Sequence, residues 1–234
     1  EDEIEGAFSE ALKYGNEVIV EKHIEGMDYR LLVVGDKVVA AAERRPPSVT
    51  GDGRHTVREL VEIENKNPLR GLGHEKPLTK IVIDDTVRKV LAKQGINEND
   101  ILPFGKIAVL RGNGNLSTGG TARDCTDEVN PETCKTAVRA ARLLNLDIAG
   151  VDITTVDISR PLGEVNGAVI EVNAAPGLRM HLHPAAGKPR DVGKEIVDML
   201  FPEGTQCSVP IVSITGTNGK TTTTRLVSHV ISLT

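Results

Sequence analysis

Three stretches of the chain hold residue types that do chemistry only in company. Asp152 lies in Gly150-Val151-Asp152-Ile153, and Glu171 and Asn173 lie in Val169-Ile170-Glu171-Val172-Asn173-Ala174-Ala175-Pro176-Gly177. Side chains alternate across a strand, so Glu171 and Asn173 share one face while Ile170 and Val172 are predicted to enter the core. If the two segments pair antiparallel, Asp152, Glu171 and Asn173 converge. Two carboxylates and an amide oxygen are hard donors suited to Mg²⁺ held between protein and phosphates. The alternative is a solvated polar sheet face. The second stretch is Gly216-Thr217-Asn218-Gly219-Lys220-Thr221, between an apolar run at residues 211–214 and a helix starting at Thr221 or Thr222. Backbone N–H groups in such a loop point at one spot, the helix N-terminus adds positive charge, Lys220 neutralises phosphate, and the Thr221 hydroxyl would hold Mg²⁺. Ile214 stands where the general G-x-x-x-x-G-K-[ST] spacing has its first glycine. The third stretch, Glu21-Lys22-His23-Ile24-Glu25-Gly26-Met27-Asp28, reads as a strand end and a glycine connector carrying an acid.

The elements that must position these residues follow from periodicity and punctuation. Helices are predicted at residues 4–14 (Ala7, Phe8, Ala11 and Leu12 on one stripe), 57–63 after Thr56, 84–94 before Gly95, and 192–200. A further helix opens at Asn130-Pro131, with Cys134, Ala137, Val138, Ala141 and Leu144 as its buried stripe. Strands are predicted at 17–22, 29–34, 38–42, 106–110, 148–156, 168–173 and 211–214. Residues 64–80, punctuated by Pro68, Gly71, Gly73 and Pro77, read as an excursion or lid outside the core. The pattern changes near residues 202–210, which sets domains at 1–205 and 206–234. The second is too short to bury its helix, so the chain reads as a piece of a longer protein.

Composition narrows the class. With 28 Lys+Arg against 33 Asp+Glu, net −5, there is no overall basic footprint for nucleic acid. Aromatic residues are only 2%, which disfavours a base-stacking surface. No apolar run is long enough for a bilayer span. Three cysteines, Cys125, Cys134 and Cys207, form no CxxC pair, which argues against a disulfide framework and makes the cytoplasm the default location. His181 and His183 have ligand spacing on a predicted strand but no third partner nearby, so no transition-metal site is expected.

In order and separation, the first and third stretches resemble the ATP-grasp family. The Glu21–Asp28 stretch looks like its adenine hinge, and Asn173-Ala174-Ala175-Pro176-Gly177 matches its Asn-x-x-Pro-Gly turn. The resemblance implies an α+β fold with an antiparallel sheet. It also implies ATP contacts at Glu21, Lys22, His23, Ile24 and Asp28, and Mg²⁺ on Asp152, Glu171 and Asn173. The family often has Arg two positions before its first metal aspartate, where this chain has Gly150. The second stretch resembles the phosphate loop of Mur-type amide ligases, whose domain is α/β. That likeness gives a second ATP set of Gly216, Thr217, Asn218, Gly219, Lys220, Thr221 and Thr222. An ATP-grasp segment running into a Mur-type loop implies an ATP-dependent carboxylate–amine ligase working through acyl phosphates. Its partners would be aspartate, arginine and the primer of a polymer with an aspartate backbone and arginine side groups, without nucleic acid or membrane, in a homo-oligomer. Ser117, Thr118, Gly119 and Gly120 would grip the polymer's carboxylates. Arg45 and Arg123 would pair with substrate carboxylates as catalytic cations, since guanidinium binds carboxylate bidentately. The rivals are another ATP-grasp ligase, of the glutathione type, and a nucleotide- or polymer-binding module without activity.

Overall fold

The computed structural model describes residues 2–73, 75–163, 165–205 and 211–233, with the side chains of Asp2 and Glu3 left aside. Cys207 lies outside the described residues. The chain divides into two compact units, Glu1–Met199 and Leu200–Thr234.

The first unit runs α1 (Asp2–Ala11), β1 (Met27–Val34), β2 (Lys37–Arg45), β3 (Ser48–Thr50), α2 (Val57–Asn65), β4 (Arg70–Gly71), β5 (Leu78–Thr79), α3 (Asp85–Lys93), β6 (Ile107–Val109), β7 (Thr121–Asp124), α4 (Pro131–Leu143), β8 (Ile148–Thr155), β9 (Gly167–Asn173), α5 (Arg179–Leu182) and α6 (Val192–Leu200). Five strands form one antiparallel sheet in the order β7-β2-β1-β8-β9. Strands alternate faces, so each row across the sheet has a fixed side. One face carries Tyr29, Leu31, Val33, Ala41, Val151 and Ile153, which pack with Ala137 and Ala141 of α4. Asn130 accepts from the Glu132 N–H and Pro131 fills the first turn of that helix. The small alanines let it lie close to the sheet, while Leu144 follows the helix end and is exposed rather than buried. The opposite face packs Leu32, Val34 and Ala40 against Val192, with Ile196 and Met199 alongside.

A smaller layer pairs β3 with β6 and covers them with α2 and α3 around Val49, Val57, Val61, Val87, Leu91 and Leu110. Thr56 and Glu59 close a capping box on α2, and the Asp84 carboxylate accepts from the Val87 N–H at the start of α3.

Several expectations need correction. Residues 17–22 form no strand, and Ile19 and Val20 are exposed; no described strand pairs with them to take their backbone groups. The stripe of α1 is likewise open, with Phe8 and Leu12 exposed. Residues 64–80 are not wholly an excursion. Arg70 is buried and donates to the carbonyls of Thr79 (2.6 Å) and Gly119 (3.1 Å), which ties β4 and β5 to the loop at 115–120. His181 lies on the short helix α5 instead of a strand.

In the second unit, residues 211–214 form no strand among the described residues, and α7 (Lys220–Ile231) follows the loop with Gly219 as its N-cap. None of its residues is fully buried, and Val227 is half-buried.

Candidate functional site

The strand register builds a row of ionic side chains across the middle of the sheet. Arg30 of β1 stands opposite Asp152 of β8, and Asp152 opposite Glu171 of β9. On the same face the next row places Gly150 opposite Asn173, and the row on the other side places Arg44, Asp28 and Thr154 abreast. Asp152 is 3% exposed between Val151 and Ile153, so its charge cannot be hydrated and must be paired within the protein. Arg30 supplies the pairing with two bonds, Nε to Oδ1 and Nη2 to Oδ2 (2.8 Å). Arg44 Nη2 adds a third contact, 3.1 Å from Oδ2. Glu171 and Asn173 are more open, and the Asn173 amide donates to Glu171 Oε1 (3.0 Å) and to the Gly150 carbonyl (3.4 Å). That leaves the amide oxygen of Asn173 free of these contacts. Among the described residues no cluster of three His, Cys, Asp or Glu side chains is set to hold a metal. The donor set here is two carboxylates and an amide oxygen, and its chemistry fits Mg²⁺.

A β-bulge between Asp152 and Ile153 changes the phase of β9. Ile153 pairs with Val169, so Ile170 is left unpaired. Val169 and Val172 pack on the core, whereas Ile170 is 55% exposed and does not enter it. Ile170 instead lines a cleft of about 680 Å³ together with Glu21, Lys22, His23, Ile24 and Asp28. The entire hinge set gathers there with an apolar wall. Thr154 Oγ1 donates to Asp28 Oδ1 (2.9 Å), fixing the acid at the cleft edge. Gly26 is required at this bend, because its φ is +140° and a Cβ would lie 2.3 Å from the Thr155 carbonyl carbon.

Arg45 and Arg123 do not reach this row. Both lie on the other face of the sheet, where Arg45 Nε (2.6 Å) and Arg123 Nε (2.7 Å) donate to Glu43. Arg123 also forms a two-bond pair with Glu128. Burial raises the Glu43 carboxyl, but the bonds from Arg45 and Arg123 outweigh it and hold it below the usual carboxylate range. Both guanidiniums are thus engaged by Glu43 on the face opposite the Asp152 row. The cations that do face Asp152 are Arg30 and Arg44. Arg30 also accounts for Gly150: a Cβ there would lie 2.9 Å from Arg30 Cδ and 2.8 Å from Pro176 Cβ. The guanidinium occupies the side-chain space that the strand leaves empty. The signal for Arg30 was its place two residues after Asp28, hence on the same face.

Gly150→Ala should accordingly displace Arg30. We expect a clear fall in melting temperature, because the buried Asp152 carboxylate loses its two-bond partner, checked by thermal unfolding beside the unaltered protein.

Ser117 and Thr118 face a recess of about 300 Å³ that also presents Thr79, Lys80 and Arg111. Arg111 is paired with Asp84 (2.7 Å), and its Nε is buried without a hydrogen bond among the described residues. Gly119 and Gly120 close the loop behind them through N–H bonds to Leu116 O (3.2 Å) and Asn115 O (3.1 Å). In the second unit Lys220 Nζ folds back onto the carbonyls of Gly216 and Thr217. Asn218, Thr221 and Thr222 are exposed beside it.

His181 is 1% exposed, and neither ring nitrogen is hydrogen-bonded among the described residues. Burial first, and the charge of Arg30 second, push its pKa down to about 4. The unfolded imidazole titrates near 6.5, so between these values the unfolded chain binds more protons and stability falls as pH drops. Thermal unfolding from pH 7 to pH 5 should show a loss of about 2 kcal/mol, which His181→Gln abolishes.

Residues 109–200 match the family described as the RimK-like ATP-grasp domain. With the sheet and site above, this defines the class: the first unit has an ATP-grasp fold. The chain is 52% identical over 229 residues to a cyanophycin synthetase of Nostoc sp., covering 98% of this chain and 25% of that protein. Likewise it is 52% identical over 213 residues to a cyanophycin synthetase of Synechocystis sp., covering 91% of this chain and 24% of that protein. A glutathione biosynthesis bifunctional protein of Listeria monocytogenes is 40% identical over 204 residues, 86% of this chain and 26% of that one. Among solved structures, a bifunctional glutathione synthetase from Pasteurella multocida superposes with a TM-score of 0.67 at 36% identity, covering 78% of this chain and 25% of that one. The chain thus spans about a quarter of the length of the curated relatives it matches. No helix among the described residues is long and apolar enough to cross a membrane.

Proposed function

We propose that this chain is part of an ATP-dependent carboxylate–amine ligase that extends cyanophycin, adding aspartate and arginine to a primer through acyl phosphates. The observation that carries the reading is the row Arg30–Asp152–Glu171, with Asn173 beside it, on the same sheet face as Asp28 at the mouth of the 680 Å³ cleft. The cleft, walled by Ile170 and Val169 and edged by Asp28, suits adenosine, with the hinge residues Glu21 to Ile24 meeting the base. Asp152, Glu171 and Asn173 would hold Mg²⁺, which when bound neutralises phosphate charge. The primer carboxylate itself is the nucleophile toward the γ-phosphate, so no nucleophilic side chain is required. Arg30 and Arg44 supply fixed positive charge where the transferred phosphoryl group and the carbonyl oxygen become more negative. The amine of aspartate then attacks the activated carbon and phosphate leaves.

Ser117 and Thr118, with Lys80 and Arg111 in the same recess, are suited to hold the polymer's carboxylates. Gly216 to Thr222 would form the phosphate loop of a Mur-type domain that activates the new β-carboxylate for attack by arginine. The reading places the protein in the cytoplasm, where ATP and free amino acids are at hand, as a homo-oligomer. Incubating the full-length protein with ATP, Mg²⁺, a short primer, aspartate and arginine tests it by primer mass. Alternating gains of one aspartate and one arginine support the reading. A gain from other amino acids only, in the manner of a glutathione-type ligase, or no gain at all, overturns it.

A further inference from the structure

Asp152 meets two demands that compete for one carboxylate. As a metal ligand it must offer an oxygen to a cation. As the structure stands most of its accepting capacity is used by arginine, Oδ1 by Arg30 and Oδ2 by Arg30 (2.8 Å) and Arg44 (3.1 Å). The arginines are also in surplus. Two guanidiniums, their side chains 11% and 14% exposed, face one buried carboxylate, while Glu171 bonds to Asn173 instead of to either of them. Arg44 Nε is buried without any hydrogen-bond partner among the described residues. A buried donor left over costs stability, and this one lies on the guanidinium that contacts Asp152. The cluster is one anion short on the arginine side and one cation short on the carboxylate side.

Resting on the ligase reading above, we propose that Asp152 changes partners in the working cycle. Without metal it is held by Arg30 and Arg44; with a divalent cation it joins Glu171 and Asn173 around that ion and releases both guanidiniums to the phosphoryl group and the substrate oxyanion. The exchange keeps a buried carboxylate paired in both states, which is the condition for its being charged there at all. It also couples the two charges, since cation binding at Asp152 is what makes Arg30 and Arg44 available for anions. Such coupling is reciprocal: whatever loosens the arginines from Asp152 must tighten the cation by the same factor.

The test is Mn²⁺ binding to the full-length protein, followed by the EPR signal of the free ion. Arg44→Met removes one competitor for Asp152, and its Mn²⁺ dissociation constant should fall by about fivefold or more relative to the unaltered protein. Arg44→Lys, which keeps the charge but holds the carboxylate by a single contact, should fall in the same direction by less. Should Arg44→Met fail to fold, by its melting curve, the lysine variant carries the test with the same sign. Mn²⁺ binding unchanged or weakened in a folded Arg44 variant would overturn the exchange while leaving the ligase reading in place. Adding Glu171→Gln to Arg44→Met should remove the tightened binding. Tight binding that survives it would put the ion elsewhere, and would overturn both the exchange and the metal-site assignment it rests on.

Discussion

Glu171→Gln should cut aspartate addition by about a hundredfold to a thousandfold while leaving the melting temperature unchanged. Glutamine keeps the size of the side chain and can still accept from the Asn173 amide, now 3.0 Å from Glu171 Oε1. Glu171 is exposed and pairs with neither arginine, so no buried charge is left unmatched when its own is removed. What disappears, on the ligase reading, is one of the two carboxylates proposed to hold the cation. On the ligase reading the loss belongs to kcat, because Glu171 does not line the cleft at Glu21 to Asp28 where that reading puts the adenosine. Primer extension with aspartate alone, run beside calorimetric nucleotide binding, checks both parts. Near-normal aspartate addition would remove Glu171 from the reaction.

The second large effect concerns the loop at Gly216 to Thr222, which the ligase reading makes a second phosphate site. Lys220→Ala should lower arginine addition by about a hundredfold or more, because the loop loses the one side-chain cation it offers a phosphate. Aspartate addition to a primer ending in a completed aspartate–arginine unit should continue at its ordinary rate. Lys220 belongs to the unit Leu200–Thr234, and the row at Asp152 belongs to the unit Glu1–Met199. Mass spectrometry of the product would then show a single aspartate gained and nothing after it. Loss of both additions, with folding unchanged, would mean that the two activations share one site.

Much of the site was legible in the sequence because it depends on local alternation. Glu171 and Asn173 are two apart on one strand, and Asp152 pairs with that strand in the expected antiparallel sense. The hinge residues are contiguous, so their gathering in one cleft needs only a bend at Gly26. What failed depends on register, which no single segment contains. Arg44 and Arg45 are adjacent in sequence and occupy opposite faces of β2. Choosing between them requires knowing that Arg44 stands opposite Asp28 and that Glu43 stands opposite Arg123. The same limit hid Arg30, whose importance lies in its partner 122 residues away and in the vacancy above Gly150. The bulge that turns Ile170 out of the core is likewise a property of the β8–β9 pair. Residues 17–22 and 211–214 have strand-like composition, yet β-propensity describes a fit to neighbours, and no described neighbour is there.

The central claim is that a carboxylate of the primer becomes an acyl phosphate at the expense of ATP. The most direct measurement labels both oxygens of the primer's terminal carboxylate with oxygen-18 and follows the inorganic phosphate released during one round of aspartate addition. The account predicts one labelled oxygen in each phosphate, because the bond broken by the amine lies between the carbonyl carbon and an oxygen that began on the primer. Phosphate free of label, at the same yield of extended primer, would contradict it.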